Sequence, residues 1–437
     1  MRRRWTAAAA ATMVALTACG SEGGTPPPSA ALAGVDPERV SGEITVLTNR
    51  TDQVSDGTLE RYADAFRKVY PDVEVRFEGF TDYEGEAMKR LKGDRPGDVL
   101  LIPDSLAIGR FPAYFDPLGS ADDLAPTFDF TEYATVGGKV YGLANIGIAT
   151  GLVYNKAVWR EAGITEWPRT GGEFITDLKA IKAATGAIPY YTNYKDAWPL
   201  RQWSDVIGAP SCSNTAKDAL ASTAEPWRAG QDPYAVDGLL FDVVHEKLSE
   251  GDPTATDWEQ SKALMGSGKV ATMLLGSWAV PQMRKAAGAA GHNPDDIGFM
   301  PFPAQTNSHH CSVASPDYKY AVNKHSRYKD AARAWIYWYI TQSGSARAEQ
   351  AISTVTGTPL PDVLKPFDER GVRIVVQTQD GAAAVSAIEK ASGIALDTPE
   401  YRQRLIDVAR GAAPGGRDAF FSDLNRKWSA AQRTAAR

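Results

Sequence analysis

The residue groups in this sequence that could do chemistry divide into catalytic strings that fail on inspection and binding groups that do not. His245-Glu246 begins a zinc-protease string, but Ser249 stands where the second histidine must lie, one helical turn on. Gly266-Ser267-Gly268-Lys269 imitates a phosphate loop, yet Ala263 and Val270 occupy its outer glycine and its Ser/Thr position. No G-x-S-x-G elbow occurs. His309-His310-Cys311 offers metal-binding types, but neighbours on a strand point to opposite faces. Paired carboxylates of the glycosidase kind remain as an alternative in a chain with 53 acidic residues. What is left is a set of polar and aromatic side chains that would bind rather than react: Asn49, Arg50, Asp52, Asp104, Asn145, Asp196, Trp198 and Trp278.

The elements that position these residues follow from the hydrophobic pattern. Glu43–Thr48 reads as a buried strand, and Thr58–Tyr70 as a helix with Leu59, Tyr62, Ala63, Phe66 and Val69 on one face. Val73, Val75 and Phe77 alternate with charges as a strand, a helix covers about 82–91, and Asp98–Ile102 is a third strand. Strand and helix in alternation imply a parallel sheet covered by helices. Ligands then sit at the carboxyl ends of the strands, which here carry Asn49 to Asp52, Phe80 to Tyr83, and Pro103-Asp104-Ser105. A second series follows: a helix over Glu173–Thr185, a strand at Ala187–Tyr191 leading into the loop with Asp196 and Trp198, helices at Val236–Leu248 and Asp257–Leu264, and a strand at Val270–Leu275 ending before Trp278. Ile297–Phe302 and Tyr318–Val322 read as strands, Tyr328–Ile340 as an apolar helix, and the stretch from about 344 to 427 as helical.

Between the two series lies Gly137–Lys156, two apolar runs broken by glycines around Asn145. Glycine weakens an interior strand and marks bending or close backbone approach, so this stretch suits a strand that crosses from one lobe to the other. Its expected pivot is Ile148–Gly151, with a ligand cleft beside it. A chain of 437 residues is long enough for two lobes.

The first residues read as an address. Arg2 to Arg4 precede the short apolar run Trp5–Leu16, which ends in Leu-Thr-Ala-Cys at 16–19. This ending resembles a bacterial lipobox, which implies cleavage after residue 18 and lipidation of Cys19; an incidental cysteine after an ordinary signal peptide is the alternative. Acyl chains would anchor the protein to the extracytoplasmic face of the cell membrane without spanning it. Residues 19–40, rich in Gly, Pro, Ser and Ala, read as a flexible tether. Cys212 and Cys311 remain, and an even remainder outside the cytoplasm reads as a disulfide, with two free thiols as the alternative. The net charge of −6 leaves no basic surface for nucleic acid, and no other apolar run is long enough to span a bilayer.

Four blocks, in this order behind the lipobox, carry a resemblance: Ile44–Asp52 (ITVLTNRTD), the crossing from Gly138 to Lys156, Lys269–Val280 (KVATMLLGSWAV) and Tyr320–Ile340. Together the chain resembles the extracellular solute-binding proteins of bacterial ABC importers, in the carbohydrate-binding branch related to maltose-binding protein. The resemblance implies an α/β, two-lobed fold, each lobe a mainly parallel sheet flanked by helices, joined by crossing hinge strands. It also implies discontinuous lobes, taken as 41–150 with 306–343 and 151–305 with 344–437, and a monomeric, non-enzymatic receptor. That receptor would need no cofactor and would hand a carbohydrate to a membrane permease. The family's G-x-W position gives Trp278 a stacking role, against a core tryptophan capping the next helix; Trp198 shares that reading. Asn49, Arg50 and Asp52 fall where the family places polar sugar contacts, with surface ion pairs as the alternative for Arg50 and Asp52. Asp104 is placed likewise, and Asn145 has a backbone partner as its alternative. The run Trp335–Tyr339 has helical spacing and reads as core. A non-sugar solute on the same scaffold and a secreted glycoside hydrolase are the competing functions.

Overall fold

The structure is a computed structural model that describes residues 33–93, 96–396 and 398–435. The strands that position the site are, in chain order, β1 (Gly42–Thr48), β2 (Val73–Gly79), β3 (Val99–Leu101), β4 (Leu143–Ala144), β5 (Gly147–Asn155), β6 (Thr272–Gly276), β7 (Ile297–Met300), β8 (His309–Pro316), β9 (Lys319–Asn323) and β10 (Arg373–Val376). Of the helices, α1 (Thr58–Arg67), α2 (Trp198–Arg201), α3 (Lys329–Gln342) and α4 (Ala382–Ser392) bear most on the site.

Two hydrophobic cores define two lobes. In the first, β2–β1–β3 are parallel and β9 joins β3 antiparallel, with β4 beside β9. The alternation of Ile44 and Val46 on β1 puts both at 1% exposure or less, against Leu59, Ala63 and Phe66 of α1 and Trp335 of α3. In the second lobe β5 is central: β6 and β7 flank it antiparallel, β8 continues its edge, and β10 runs parallel to β8. The expected mainly parallel arrangement therefore holds for β1–β3, while the second sheet is mixed. The reason lies in the crossing. β5 enters from the first lobe and so begins at the cleft, whereas β6 ends there, with Gly276 opposite Thr150. The expected strand at Ala187–Tyr191 is reduced to isolated bridges, Ile188 to Val270 and Tyr190 to Ser249.

Three boundaries move from those expected. Val313 and Ala314 sit in the second core, and β8 pairs with β5 and β10, so the return to the first lobe begins near Tyr318 rather than at 306. Val40 is buried in the first core, with Ala33 and Val35 packed against it, so the tether is already part of the lobe by residue 33. Cys19 and residues 1–18 lie outside the described residues. The pivot also shifts. Ile148 and Ala149 are already paired with Ser315 and Ala314. At Asn145–Ile146 the two crossing strands instead bond to each other outside either sheet, Asn145 N–H to the Tyr318 carbonyl (3.0 Å) and Asp317 N–H to the Ile146 carbonyl (3.0 Å). A third crossing returns after α3, where Ile352 and Gly147 exchange backbone hydrogen bonds of 2.8 and 3.0 Å.

Cys212 and Cys311 form a disulfide with their Cα atoms 5.4 Å apart. Cys311 lies on β8, so the bridge stays inside the second lobe instead of joining the two, as the expected boundary at 306 would have had it.

Candidate functional site

The site is a cleft of about 840 Å³ at the crossing strands. Its floor is the cleft end of β5 and β8, with Ile148, Thr150, Val313 and Ser315. The first lobe contributes Asp104, from the loop after β3, and Lys319 at the start of β9. The second lobe supplies one wall from α2 and the turn after β6, and another from Lys217, Asp218, Gln377 to Gln379 and α4.

Aromatic geometry dominates the first wall. Trp198 is 38% exposed, one of the few large apolar side chains so placed among the described residues, and its ring lies 5.8 Å from that of Trp278 at an interplanar angle of 37°. Trp258 closes the group, 5.0 Å from Trp198 and 5.7 Å from Trp278, nearly edge-on to the first. Gly276 is required here by space: a Cβ would sit 2.4 Å from the Trp278 indole nitrogen and 2.8 Å from Ile148. Asp196 belongs to this group indirectly. Its carboxylate accepts the Trp258 N–H at 2.5 Å, fixing the start of the helix that carries Trp258. It does not line the cleft.

The other wall is a hydrogen-bonded unit. Gln377, directly after β10, donates to the Ser213 carbonyl (2.7 Å) and accepts from Lys217 N–H (3.1 Å). Thr378 donates its hydroxyl to Asp218 (2.5 Å). Gly208, at φ +110°, lets the backbone come close, since a Cβ would lie 2.3 Å from the Gln377 amide nitrogen. The disulfide ties this loop to β8.

Charges in the cleft are partly matched. Lys319 lies 3.5 Å from Asp104, and Lys217 lies 3.6 Å from Asp205. Asp317, at the crossing, has its carboxyl pushed up to about 6 by burial and then by the negative charges of Asp104 and Glu349, against the opposing pull of Lys319 and a hydrogen bond with Asn145.

Of the residues expected to bind, Asp104, Trp198 and Trp278 line the cleft. Arg50 does not: its guanidinium forks onto Asp52 (3.0 and 2.9 Å) and reaches Glu349 at 2.8 Å. Those bonds tie the end of β1 to the segment that follows α3, and they hold the Asp52 carboxyl below its ordinary range through its hydrogen bond with Arg50. Asn49 stands half-buried at the end of β1, its carbonyl taken by Thr51 N–H at 3.0 Å. Asn145 accepts the N–H of Ile146 at 2.8 Å and also bonds Asp317, acting within the crossing. None of these four is among the cleft-lining residues. Sequence reasoning missed Arg201, Gln202, Lys217 and Gln377 to Gln379. The signal for the last three was the short apolar run Arg373–Val376, a strand hidden in a stretch read as helical. Among the described residues no cluster of His, Cys, Asp and Glu could hold a metal ion, and no helix is long and apolar enough to cross a membrane.

Two α/β lobes joined by three crossings, with a polar and aromatic cleft at the joint, define a two-lobed ligand-binding protein. The family model of the bacterial extracellular solute-binding proteins matches residues 51–346, and the chain belongs to that family. In structure it is similar to BlMnBP1 of Bifidobacterium animalis subsp. lactis, a binding protein of an ABC transporter in complex with mannobiose. The TM-score is 0.81 and the identity 30%, over 92% of this chain and 97% of that one. BlMnBP2 of the same organism, a manno-oligosaccharide specific solute-binding protein in complex with mannotriose, has 28% identity over the same shares and a TM-score of 0.81. In sequence it is similar to the diacetylchitobiose binding protein DasA of Streptomyces coelicolor, 24% identical over 382 residues, 80% of this chain and 82% of that protein.

Proposed function

We propose that the chain is the receptor of an ABC importer and that it captures a carbohydrate between its lobes and presents it to the membrane permease. The observation that carries this reading is the exposed Trp198 beside Trp278 in a cleft that also presents hydrogen-bonding side chains from both lobes. A sugar ring has one face of C–H groups and a rim of hydroxyls. An aromatic face covers the first by apolar burial, and charged or amide groups satisfy the second. The saccharide ligands of BlMnBP1, BlMnBP2 and DasA support the same class.

In this reading Trp198, Trp278 and Asp104 contact the ligand, and the lobes close by bending at Asn145–Ile146 and Asp317–Tyr318. Residues 1–18 are removed, Cys19 carries the lipid, and the receptor works as a monomer on the extracytoplasmic face. It binds its sugar and releases it unchanged.

A thermal-shift screen with mono- and oligosaccharides tests the reading, with mannobiose, mannotriose and diacetylchitobiose first. A ligand at about 100 times its Kd stabilises the folded form by about 2.7 kcal/mol. A rise in Tm with the saccharide recovered intact supports the proposal. No shift across the panel, or release of reducing sugar, overturns it. For the anchor, Cys19→Ala releases the protein from the cell surface; continued membrane retention contradicts lipidation there.

A further inference from the structure

The cleft contains a cation and an amide whose hydrogen-bonding capacity the protein itself leaves unused. Arg201 closes α2, three residues after Trp198, so the two side chains lie on one face of the same turn. It is exposed and lines the cleft. Among the described residues it has no ion pair, hydrogen bond or ring contact, although the cleft lining carries five carboxylates. The other two cations there, Lys217 and Lys319, each have a carboxylate within 4 Å. The next residue, Gln202, also lines the cleft, and its side-chain oxygen is buried with no donor. A buried polar atom without a partner is costly unless something supplies one.

The two groups are complementary in a specific way. A guanidinium offers donors in a planar fork and accepts nothing, whereas the glutamine oxygen only accepts. A hydroxyl both donates and accepts, so neighbouring hydroxyls on a sugar ring can satisfy both groups at once. A carboxylate could take the fork but could give nothing to Gln202, and it would meet a cleft whose lining has five carboxylates against three cations. We infer that Arg201 and Gln202, beside the Trp198 ring, form the subsite that reads vicinal hydroxyls, and that this subsite selects neutral saccharides over acidic ones. The inference rests on the carbohydrate reading above and assigns its specificity.

Calorimetric titration of the full chain with mannobiose, diacetylchitobiose and a mannuronate disaccharide tests it, using wild type, Arg201→Met, Arg201→Lys and Arg50→Met. For the better neutral ligand, Arg201→Met should weaken binding by roughly tenfold to a hundredfold, the range of charge-assisted hydrogen bonds, with Tm nearly unchanged. Arg201→Lys should recover only part of the loss, because lysine lacks the fork. Arg50→Met, whose native partners are Asp52 and Glu349 outside the cleft, should bind within about twofold of wild type. The uronate should bind wild type at least about tenfold more weakly than the neutral sugar, and neutral binding should change by less than about twofold between low and high salt. Unchanged affinity in Arg201→Met, or tighter binding of the uronate, overturns the inference and leaves the carbohydrate reading standing. No binding of any saccharide by wild type overturns both.

Discussion

Two tryptophan-rich groups, one in each lobe, have similar composition and opposite surroundings. On α3, Trp335 to Tyr339 are all buried, none more than 4% exposed. Trp335 meets Phe66 edge-on at 5.2 Å and Phe77 at 5.6 Å, and Tyr337 donates to the Leu118 carbonyl at 2.9 Å. The Trp335 indole N–H has no partner among the described residues, so packing rather than polar contact holds it. Trp198, Trp258 and Trp278 come from three separate elements and pack against each other, with Trp198 and Trp278 lining the cleft. The first group is one helix pressed between a sheet and α1, with no surface left to offer. The second is a shelf. An aromatic cluster becomes a binding surface when the chain brings it together from loop ends and leaves one face uncovered.

Trp335→Ala should cost about 3–5 kcal/mol in urea unfolding, the usual range for emptying a large buried aromatic site. Ligand affinity of the molecules that remain folded should be unchanged. A loss of affinity without loss of stability would mean that the α3 group also serves the cleft.

The joint between the two groups gives the next largest effect. Asp317 holds its proton more tightly in the folded chain, with its carboxyl raised to about 6, than in the unfolded one, where a free Asp titrates near ~4. Its contribution to stability is therefore fully present below about pH 4, falls as pH rises to about 6, and stays at its minimum above that. Asp317→Asn should remove this decline and raise stability above pH 6 by roughly 2 kcal/mol. Parallel unfolding curves from pH 4 to 8 check it, because the difference between variant and wild type cancels Asp177, also raised to about 6 by burial and by Glu173. Identical pH profiles would place Asp317 in an environment no different from solvent.

The cleft side is smaller in free energy and different in kind. Trp278→Ala should weaken saccharide binding at least about tenfold, about 1.4 kcal/mol, from lost apolar cover. Trp198→Ala, at 38% exposure, should change stability by less than about 1 kcal/mol while still weakening binding. Calorimetry paired with urea unfolding separates the two quantities. Equal losses in stability and affinity would return the shelf to the core.

Much of this was legible in the sequence where the local pattern and the packing agree. The strands Glu43–Thr48 and Val270–Leu275 and the helix containing Trp335 were read within a few residues of β1, β6 and α3, because each is an apolar run with one answer. Trp278 was readable as a cleft residue because it follows a buried strand at its carboxyl end. Arg50 was readable only as either a ligand contact or an ion pair: its position at the end of β1 suits the first, and the ion pair that the structure shows is made in part by Glu349, nearly 300 residues later. Arg201 and Gln202 had no local signal, since what marks them is the absence of a partner, a property of the folded surroundings. The second wall was hidden for a related reason. β10 is four residues long, and its place beside β8 depends on a pairing at long sequence distance.

The tryptophan shelf in the second lobe is, in this reading, one wall of a saccharide site. Titration of mannobiose and of diacetylchitobiose into wild type and into a Trp198→Ala, Trp278→Ala double variant, with Tm recorded for both proteins, tests it most directly. Wild type should bind at least one of them saturably, and the double variant should lose more than about tenfold in affinity with the fold retained. Equal affinity in the two proteins, or no binding to wild type, would contradict it.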